Sequence, residues 1–418
     1  MNDHPTRDRA AEATGGLDPR RSAGRLVAVD AARGLALVGL TAVHFLPQSY
    51  PDNDRPTLSW LLFAGDSAAL FALLAGVSLA FSTGGRRPSR GRDLTADRAG
   101  LAVRALLIMA IGLTVDYLMP EDPPAVNILV HYGLFFLLAL PFLGLRPRTL
   151  FLCSGASLLL GPLLIHTLGD LVPEHSAVNP TFAELVTEPA GLFWQLTLTG
   201  TYPAATYMAY LLAGLALGRL NLKNLRLQAR LLAVGLGLAA LAKLVSWVLL
   251  YGMDGYNVLL YSIVSLTRAD LDHIIVFGGD GPLPTSTLWW QVLSAPHANT
   301  PLSVAWSLGV ALAALGALLL VGREFGTWLL PLTALGAMTL TLYTAQLVLL
   351  STEVHYSSPL LWFVACLLVS ALVALAWRHA LGRGPLERAV SAAAHATTRA
   401  VADRGTPRGP DTPRRPLE

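Results

Sequence analysis

Residues 26–47 read Leu26-Val-Ala-Val-Asp30-Ala-Ala-Arg33-Gly-Leu-Ala-Leu-Val-Gly-Leu40-Thr-Ala-Val-His44-Phe-Leu-Pro47. A hydrocarbon core of about 30 Å needs roughly 20 mostly apolar residues in one helix, and this stretch supplies them with Asp30 and Arg33 as its only fully charged side chains. Working outward, the same pattern recurs near 60–81, 103–119, 126–145, 149–168, 201–220, 231–251, 302–322, 328–350 and 359–378. The expectation is an all-α polytopic integral membrane protein of about ten transmembrane helices. Composition agrees: the 418 residues are 53% hydrophobic and 14% charged, whereas soluble domains carry about a quarter charged residues. Cys153 and Cys366 both lie in apolar runs, so a disulfide or zinc framework is excluded and no metal is expected.

Basic residues orient the chain, because cytoplasmic loops retain Lys and Arg. If the ten spans alternate, the N-terminal tail (Arg7, Arg9, Arg20, Arg21, Arg25), the second connection (Arg86, Arg87, Arg90, Arg92, Arg98, Arg104) and the C-terminal segment (from Arg378 to Arg415) share one side with Arg146, Arg148, Arg219, Lys223, Arg226, Arg230 and Arg323. Only Arg55 and Arg268 fall on the other side. Both termini are therefore expected in the cytoplasm. Three regions follow: a disordered tail over 1–24, a helical membrane domain over 25–380 with a long external loop at 252–301, and a basic tail over 381–418. That last tail is largely disordered, with a short surface helix near 385–402. No apolar segment precedes the first span, so that span is read as the targeting signal. The net charge of +3 gives no reason to expect a nucleic-acid partner.

An ionisable group inside a span costs a few kcal/mol, so each needs a partner, a wet cavity or a use. Asp30 and Arg33, three residues apart, are placed to pair on one helix face, either as an anchor of the helix end or in ligand binding. His44 lies eleven residues past Arg33, which returns it to within about 20° of the same face and roughly 16 Å farther along. Asp66 sits at a similar depth in the next span, where a contact with His44 would orient the imidazole and raise its basicity. Pairing with Arg55 or Lys243, or capping of a broken helix, are the other readings of Asp66. Lys243 is equally open between a counter-ion and a snorkelling side chain. His131 and His166 read as packing, and Gln346 as a helix-bridging amide.

The first span, with Arg33 followed at eleven residues by His44, resembles the transmembrane acyltransferase superfamily. That group includes heparan-α-glucosaminide N-acetyltransferase and bacterial membrane O-acyltransferases. Leu73-Leu-Ala-Gly-Val-Ser78, Gly200-Thr-Tyr-Pro203, Leu211-Leu-Ala-Gly-Leu-Ala-Leu-Gly-Arg219, Pro296-His-Ala-Asn-Thr300 and Gly384-Pro-Leu-Glu387 are similar to further landmarks of the bacterial branch. Two positions depart from relatives. The heparan enzyme has Asn where His44 stands and its essential His in the loop near Thr57, and a His frequent in the ninth span is Gln346 here.

The resemblance implies an acyltransferase, expected to be an acetyltransferase, that moves an acyl group from cytoplasmic acyl-CoA (acetyl-CoA) to a hydroxyl or amine of an extracytoplasmic sugar, glycolipid or small molecule. The expected catalytic residues are His44 and Asp66, by direct transfer or through an acyl-imidazole. Arg33, Asp30, Arg86, Arg87 and Arg104 are the expected acyl-CoA ligands, with Arg219 also on the basic side. Acyl-CoA is a co-substrate and no group is permanently bound. The bilayer and a carbohydrate or glycolipid acceptor are the expected partners, a homodimer is allowed, and the setting is the cytoplasmic membrane of a bacterium. Two alternatives stay open: a proton-coupled transporter, since buried Asp, His and Lys also build proton relays, and a non-catalytic protein of the same fold.

Overall fold

The computed structural model describes residues 27–172, 178–279 and 281–403. The expected tail 1–24, Arg25 and the 404–418 part of the expected tail 381–418 lie outside the described residues. The chain opens with α1 (Val27–Phe45), α2 (Leu58–Phe63), α3 (Asp66–Ser82), α4 (Gly91–Asp116), α5 (Leu129–Ala139) and α6 (Pro147–Leu168). It continues through α7 (Phe182–Thr187), α8 (Pro189–Trp194), α9 (Ala204–Gly218) and α10 (Leu225–Trp247). The 252–301 loop holds α11 (Gly255–Tyr261) and α12 (Arg268–Phe277), and α13 (Pro301–Glu324), α14 (Leu330–Ala337), α15 (Thr339–Leu350), α16 (Pro359–Ala380) and α17 (Pro385–Asp403) follow. The described residues contain no strand, only an isolated bridge between Ser49 and Pro56.

Among the described residues, seven helices are long and apolar enough to cross a membrane, or eight if α14 and α15, bent by 80°, count as one span. The other two expected segments hold only short apolar helices, Leu129–Phe142 and Ala204–Gly218. At 1.5 Å per residue each falls short of a 30 Å core, so the expected count of ten is not reached by these helices. The apolar runs were longer than the helices they contain because Gly200 to Pro203 is not helical. Helix α9 is buried from Thr206 to Gly218 on every face, as expected of a helix apolar all round that sits inside a bundle. In contrast, α16 buries only Ala374. Leu360, Leu361, Leu368 and Leu372 face outward, a surface suited to lipid and not to water.

The helices meet through small residues. A Cβ added to Gly34 on α1 would overlap the backbone of Leu332 on α14, and one added to Gly336 would overlap the Asp30 carbonyl. The two backbones therefore touch directly, as in small-residue packing of membrane helices. Gly65, at φ 75°, allows the break between α2 and α3 and leaves space for the backbone of Pro296 and His297.

The 252–301 loop builds its own apolar cluster around Leu250, Leu259, Leu260, Leu271, Trp290 and Leu293. Residues 191–200 form the end of α8 followed by a π-helical turn from Gln195 to Thr199. Residues 385–402, read as a surface helix, form most of α17, which packs along α4.

Candidate active site

Arg33, Leu40 and His44 recur at intervals of seven and four, so one stripe of α1 carries all three. The lower part of that stripe opens into a cavity of about 630 Å³. Its basic end is lined by Asp30, Arg33, Ser78, Arg104, Arg383, Glu387 and His395, its middle by Leu40, Phe71, Leu74, Ile108 and Phe136, and its far end by Ile128, Tyr132 and Tyr343. The lining stops one turn short of His44, whose ring lies 6.2 Å from that of Tyr343. A charged mouth, an apolar shaft and a phenol-lined tip thus run up α1 towards the imidazole.

At the mouth, Asp30 Oδ1 accepts from Arg33 Nη1 at 2.8 Å, and Arg33 also donates to the Ser78 hydroxyl. Asp30 is buried and holds the guanidinium, which makes it an orienting group for Arg33. Arg104 lies over the Phe136 ring at 5.5 Å, and its Nε is buried without a hydrogen-bond partner among the described residues. Glu387 accepts from the Thr341 backbone N–H at 3.1 Å and from its hydroxyl at 2.6 Å. It thereby satisfies the start of α15 at the break, the usual service of a carboxylate at a helix N-terminus. Arg383 and His395, on and just before α17, complete the mouth; neither was singled out from the sequence, where Gly384-Pro-Leu-Glu387 was the only signal in their neighbourhood.

Two of the expected acyl-CoA ligands sit elsewhere. Arg86 and Arg87 are exposed and do not line the cavity, because the turn that carries them leaves the end of α3. Arg219, listed with the basic side, is 3% exposed and committed to backbone. Its Nη1 faces the carbonyls of Ala80, Thr83 and Gly85 at 3.1, 2.7 and 2.7 Å, and its Nη2 faces Thr83 Oγ1 and the Leu143 carbonyl at 2.8 and 2.7 Å. It ties down the turn that bears Arg86 and Arg87.

The expected contact between His44 and Asp66 is not formed. Asp66 is the first residue of α3, just beyond the break at Gly65, and this turns its carboxylate towards α13. There it accepts from Trp306 Nε1 at 3.1 Å and from the Ser307 hydroxyl at 2.6 Å. Lys243 lies 4.7 Å over the Trp306 ring and donates to the Ser294 carbonyl at 2.8 Å. The helix is broken at Gly65, but the Asp66 side chain does not cap it; its hydrogen bonds go to Trp306 and Ser307, and none goes to Lys243. His44 is met instead by Gln346, whose carboxamide lies 3.1 Å from Nδ1 and 2.7 Å from Thr41 Oγ1.

Around His44 the loop 293–300 supplies His297, and the turn after α15 supplies His355; both face the His44 ring electrostatically. His297 and Asn299 take left-handed φ values of 55° and 53°, tolerated by Asn far better than by most residues. The Asn299 side chain secures the loop, accepting from Thr206 at 3.0 Å and donating to the carbonyls of Thr201 and His297. Thr300 then starts α13 with a capping box to Ser303. His131 packs edge-on to Tyr202 at 5.5 Å, and Tyr202 packs edge-on to His297 at 5.6 Å.

Burial pushes the His297 imidazole down to about 4. An unfolded His titrates near 6.5, so between about pH 6.5 and 4 only the unfolded chain takes up that proton. The contribution of this site to stability is complete above about pH 6.5 and lost as the pH falls towards 4. His297→Gln is expected to flatten this acid-side loss in a thermal unfolding series from pH 7 to 5; parallel wild-type and variant curves would contradict it.

The family model described as heparan-alpha-glucosaminide N-acetyltransferase, catalytic, matches residues 25–252, more than half of the chain. No curated protein matches the chain. The matched part carries Arg33, His44, Asp66 and Arg104, while His297, Gln346, His355, Arg383 and Glu387 come from the remainder.

Proposed function

Because the chain belongs to the heparan-alpha-glucosaminide N-acetyltransferase catalytic family, a family of membrane acetyltransferases, we propose that it transfers an acetyl group from cytoplasmic acetyl-CoA to a hydroxyl or amine of a carbohydrate or glycolipid at the far side of a bacterial plasma membrane. In this reading both termini are cytoplasmic, so the basic mouth of the cavity faces the compartment where acyl-CoA is made. Arg33, Arg104 and Arg383 meet the phosphates, since guanidinium groups bind them through forked, charge-assisted hydrogen bonds. Asp30 keeps Arg33 in place, and Arg86 and Arg87 attract the anion from the adjacent turn. The pantetheine arm lies along Leu40, Phe71 and Ile108, and the rise of roughly 16 Å from Arg33 to His44 is the reach such an arm requires.

The chemistry falls to the far end. His44 takes the proton of the acceptor hydroxyl or amine as its oxygen or nitrogen bonds to the thioester carbon. The carbon–sulfur bond then breaks, and the imidazolium returns the proton to the departing thiolate. Tyr132 has a hydroxyl oxygen that is buried without a hydrogen-bond partner among the described residues, and Tyr343 lies beside the His44 ring. Phenols so placed can donate to the oxyanion that develops on the thioester carbonyl. Asp66, held by Trp306 and Ser307, has a supporting role in fixing the start of α3 beside the site.

The observation that carries this reading is the continuous cavity from Arg33 to the neighbour of His44. The proton-coupled transporter is the second reading, favoured by the 80° break between α14 and α15, since broken helices line transporter sites. Calorimetric titration of acetyl-CoA into the detergent-purified full chain separates the two. Saturable binding weakened about 10- to 100-fold by Arg33→Ala or Arg104→Ala is expected, in line with losing one or two charge-assisted hydrogen bonds. Absence of binding in the wild type overturns the acetyltransferase reading.

A further inference from the structure

The contacts around Gln346 determine which imidazole nitrogen of His44 is free. Thr41 Oγ1 lies 2.8 Å from the Leu37 carbonyl and 2.7 Å from Gln346 Oε1, and Gln346 Nε2 lies 3.1 Å from His44 Nδ1. With the carboxamide in that orientation, the one hydroxyl proton of Thr41 faces two acceptors, and one close oxygen pair is left without a proton. Rotating the carboxamide by half a turn exchanges its nearly identical nitrogen and oxygen. Thr41 then donates to Leu37, the Gln346 amide donates to Thr41, and His44 Nδ1–H donates to the Gln346 oxygen. Every contact has one donor and one acceptor. The cluster is buried at Thr41 (2% exposed) and Gln346 (3% exposed), where an unmet polar contact is costly, so the fully paired arrangement wins.

We propose that Gln346 is a positioning residue for His44: oriented by Thr41 and the Leu37 carbonyl, it accepts the Nδ1 proton and holds the imidazole as the Nδ1–H tautomer with the Nε2 lone pair free. Such a fixed tautomer is what a general base needs, and a neighbouring carboxylate commonly provides it. A neutral amide provides orientation without negative charge. The groups facing His44 are themselves imidazoles, His297 and His355, with Tyr343 beside the ring. The pair joins residues 302 positions apart, on either side of the end of the family match. This inference rests on the acetyltransferase reading for its catalytic meaning, but the tautomer itself does not.

The test uses the full chain in lipid nanodiscs with 15N-labelled histidine, with His44→Asn identifying the His44 signals. The expected spectrum has a pyrrole-type Nδ1 and a pyridine-type Nε2 above pH 7. In Gln346→Leu the same signals are expected to shift to a mixture of tautomers. A pyrrole-type Nε2 in the wild type overturns the proposal, as does an unchanged spectrum in the variant. Kinetically, Gln346→Leu is expected to lower kcat about 10- to 100-fold, the range for lost supporting hydrogen bonds, with KM for acetyl-CoA unchanged. Gln346→Glu is expected to restore most of kcat and move the acidic limb of the pH–rate profile upward, because a carboxylate stabilises the imidazolium. An equal loss in Gln346→Glu and Gln346→Leu overturns the orienting role. If the tautomer is as stated but the wild type transfers no acetyl group, the functional reading fails while the tautomer stands.

Discussion

Replacing His44 with Ala is expected to abolish acetyl transfer while leaving the protein in the membrane. The magnitude follows from its role. Removing a general base costs about 10²- to 10⁴-fold in rate, and the described neighbours offer no substitute carboxylate, since Asp66 is turned to Trp306 and Ser307. The basic mouth proposed to take the phosphates lies roughly 16 Å away along α1, so the affinity for acetyl-CoA is expected to stay within about twofold in the same variant. Radiolabelled acetyl transfer in isolated membranes, beside a titration of donor affinity, reads both quantities. Wild-type turnover in His44→Ala, with insertion verified, rejects the catalytic assignment outright.

The largest stability effect is expected at Arg219. Its guanidinium serves four backbone carbonyls and one hydroxyl from the end of α3, the following turn and the connection at Leu143. Hydrogen bonds to a charged group contribute about 1.5–3 kcal/mol each but do not add. Loss of the shared donor leaves several buried carbonyls unmet, at about 1–3 kcal/mol each without full additivity, and Arg219→Ala is expected to cost about 3–5 kcal/mol in all. Arg219→Lys recovers only part of this, because an ammonium cannot reproduce the planar fork. A denaturant or thermal unfolding series checks the loss, and a variant with the wild-type midpoint refutes it. Below the unfolding range, donor affinity in Arg219→Lys is expected to match the wild type, unlike that of Arg33→Ala.

The features legible from sequence are those set by one helix. The stripe from Arg33 to His44 depends only on the 3.6-residue period, and the cavity runs along it. The pairing of Asp30 with Arg33 is equally local, at i and i+3. What was misread depends on helix ends and on distant segments. Asp66 was placed opposite His44 by treating 60–81 as one unbroken helix; Gly65 breaks it and redirects the carboxylate. The Arg219 side chain carries the same charge as Arg33, and only its burial against carbonyls distinguishes a staple from a phosphate ligand. Gln346 stood out as a polar residue in a span, yet its partner on α1 could not be found from spacing. The helices at 129–139 and 204–218 are shorter than the apolar runs that contain them, because apolar runs do not reveal where the backbone stops being helical.

The seam between α1 and α14 is made of backbone on both sides, with Gly34 and Gly336 interlocked. Backbone has no side chain to exchange, so this wall resists gradual remodelling. Diversification of the chamber among descendants of such a gene is channelled into residues such as Leu40, Phe71 and Ile108, which can change volume one methyl group at a time. It also ties the inheritance of the two parts of the chain together: a recombinant that joins the first part of one homologue to the second part of another keeps its chamber only where both parental seams are glycine.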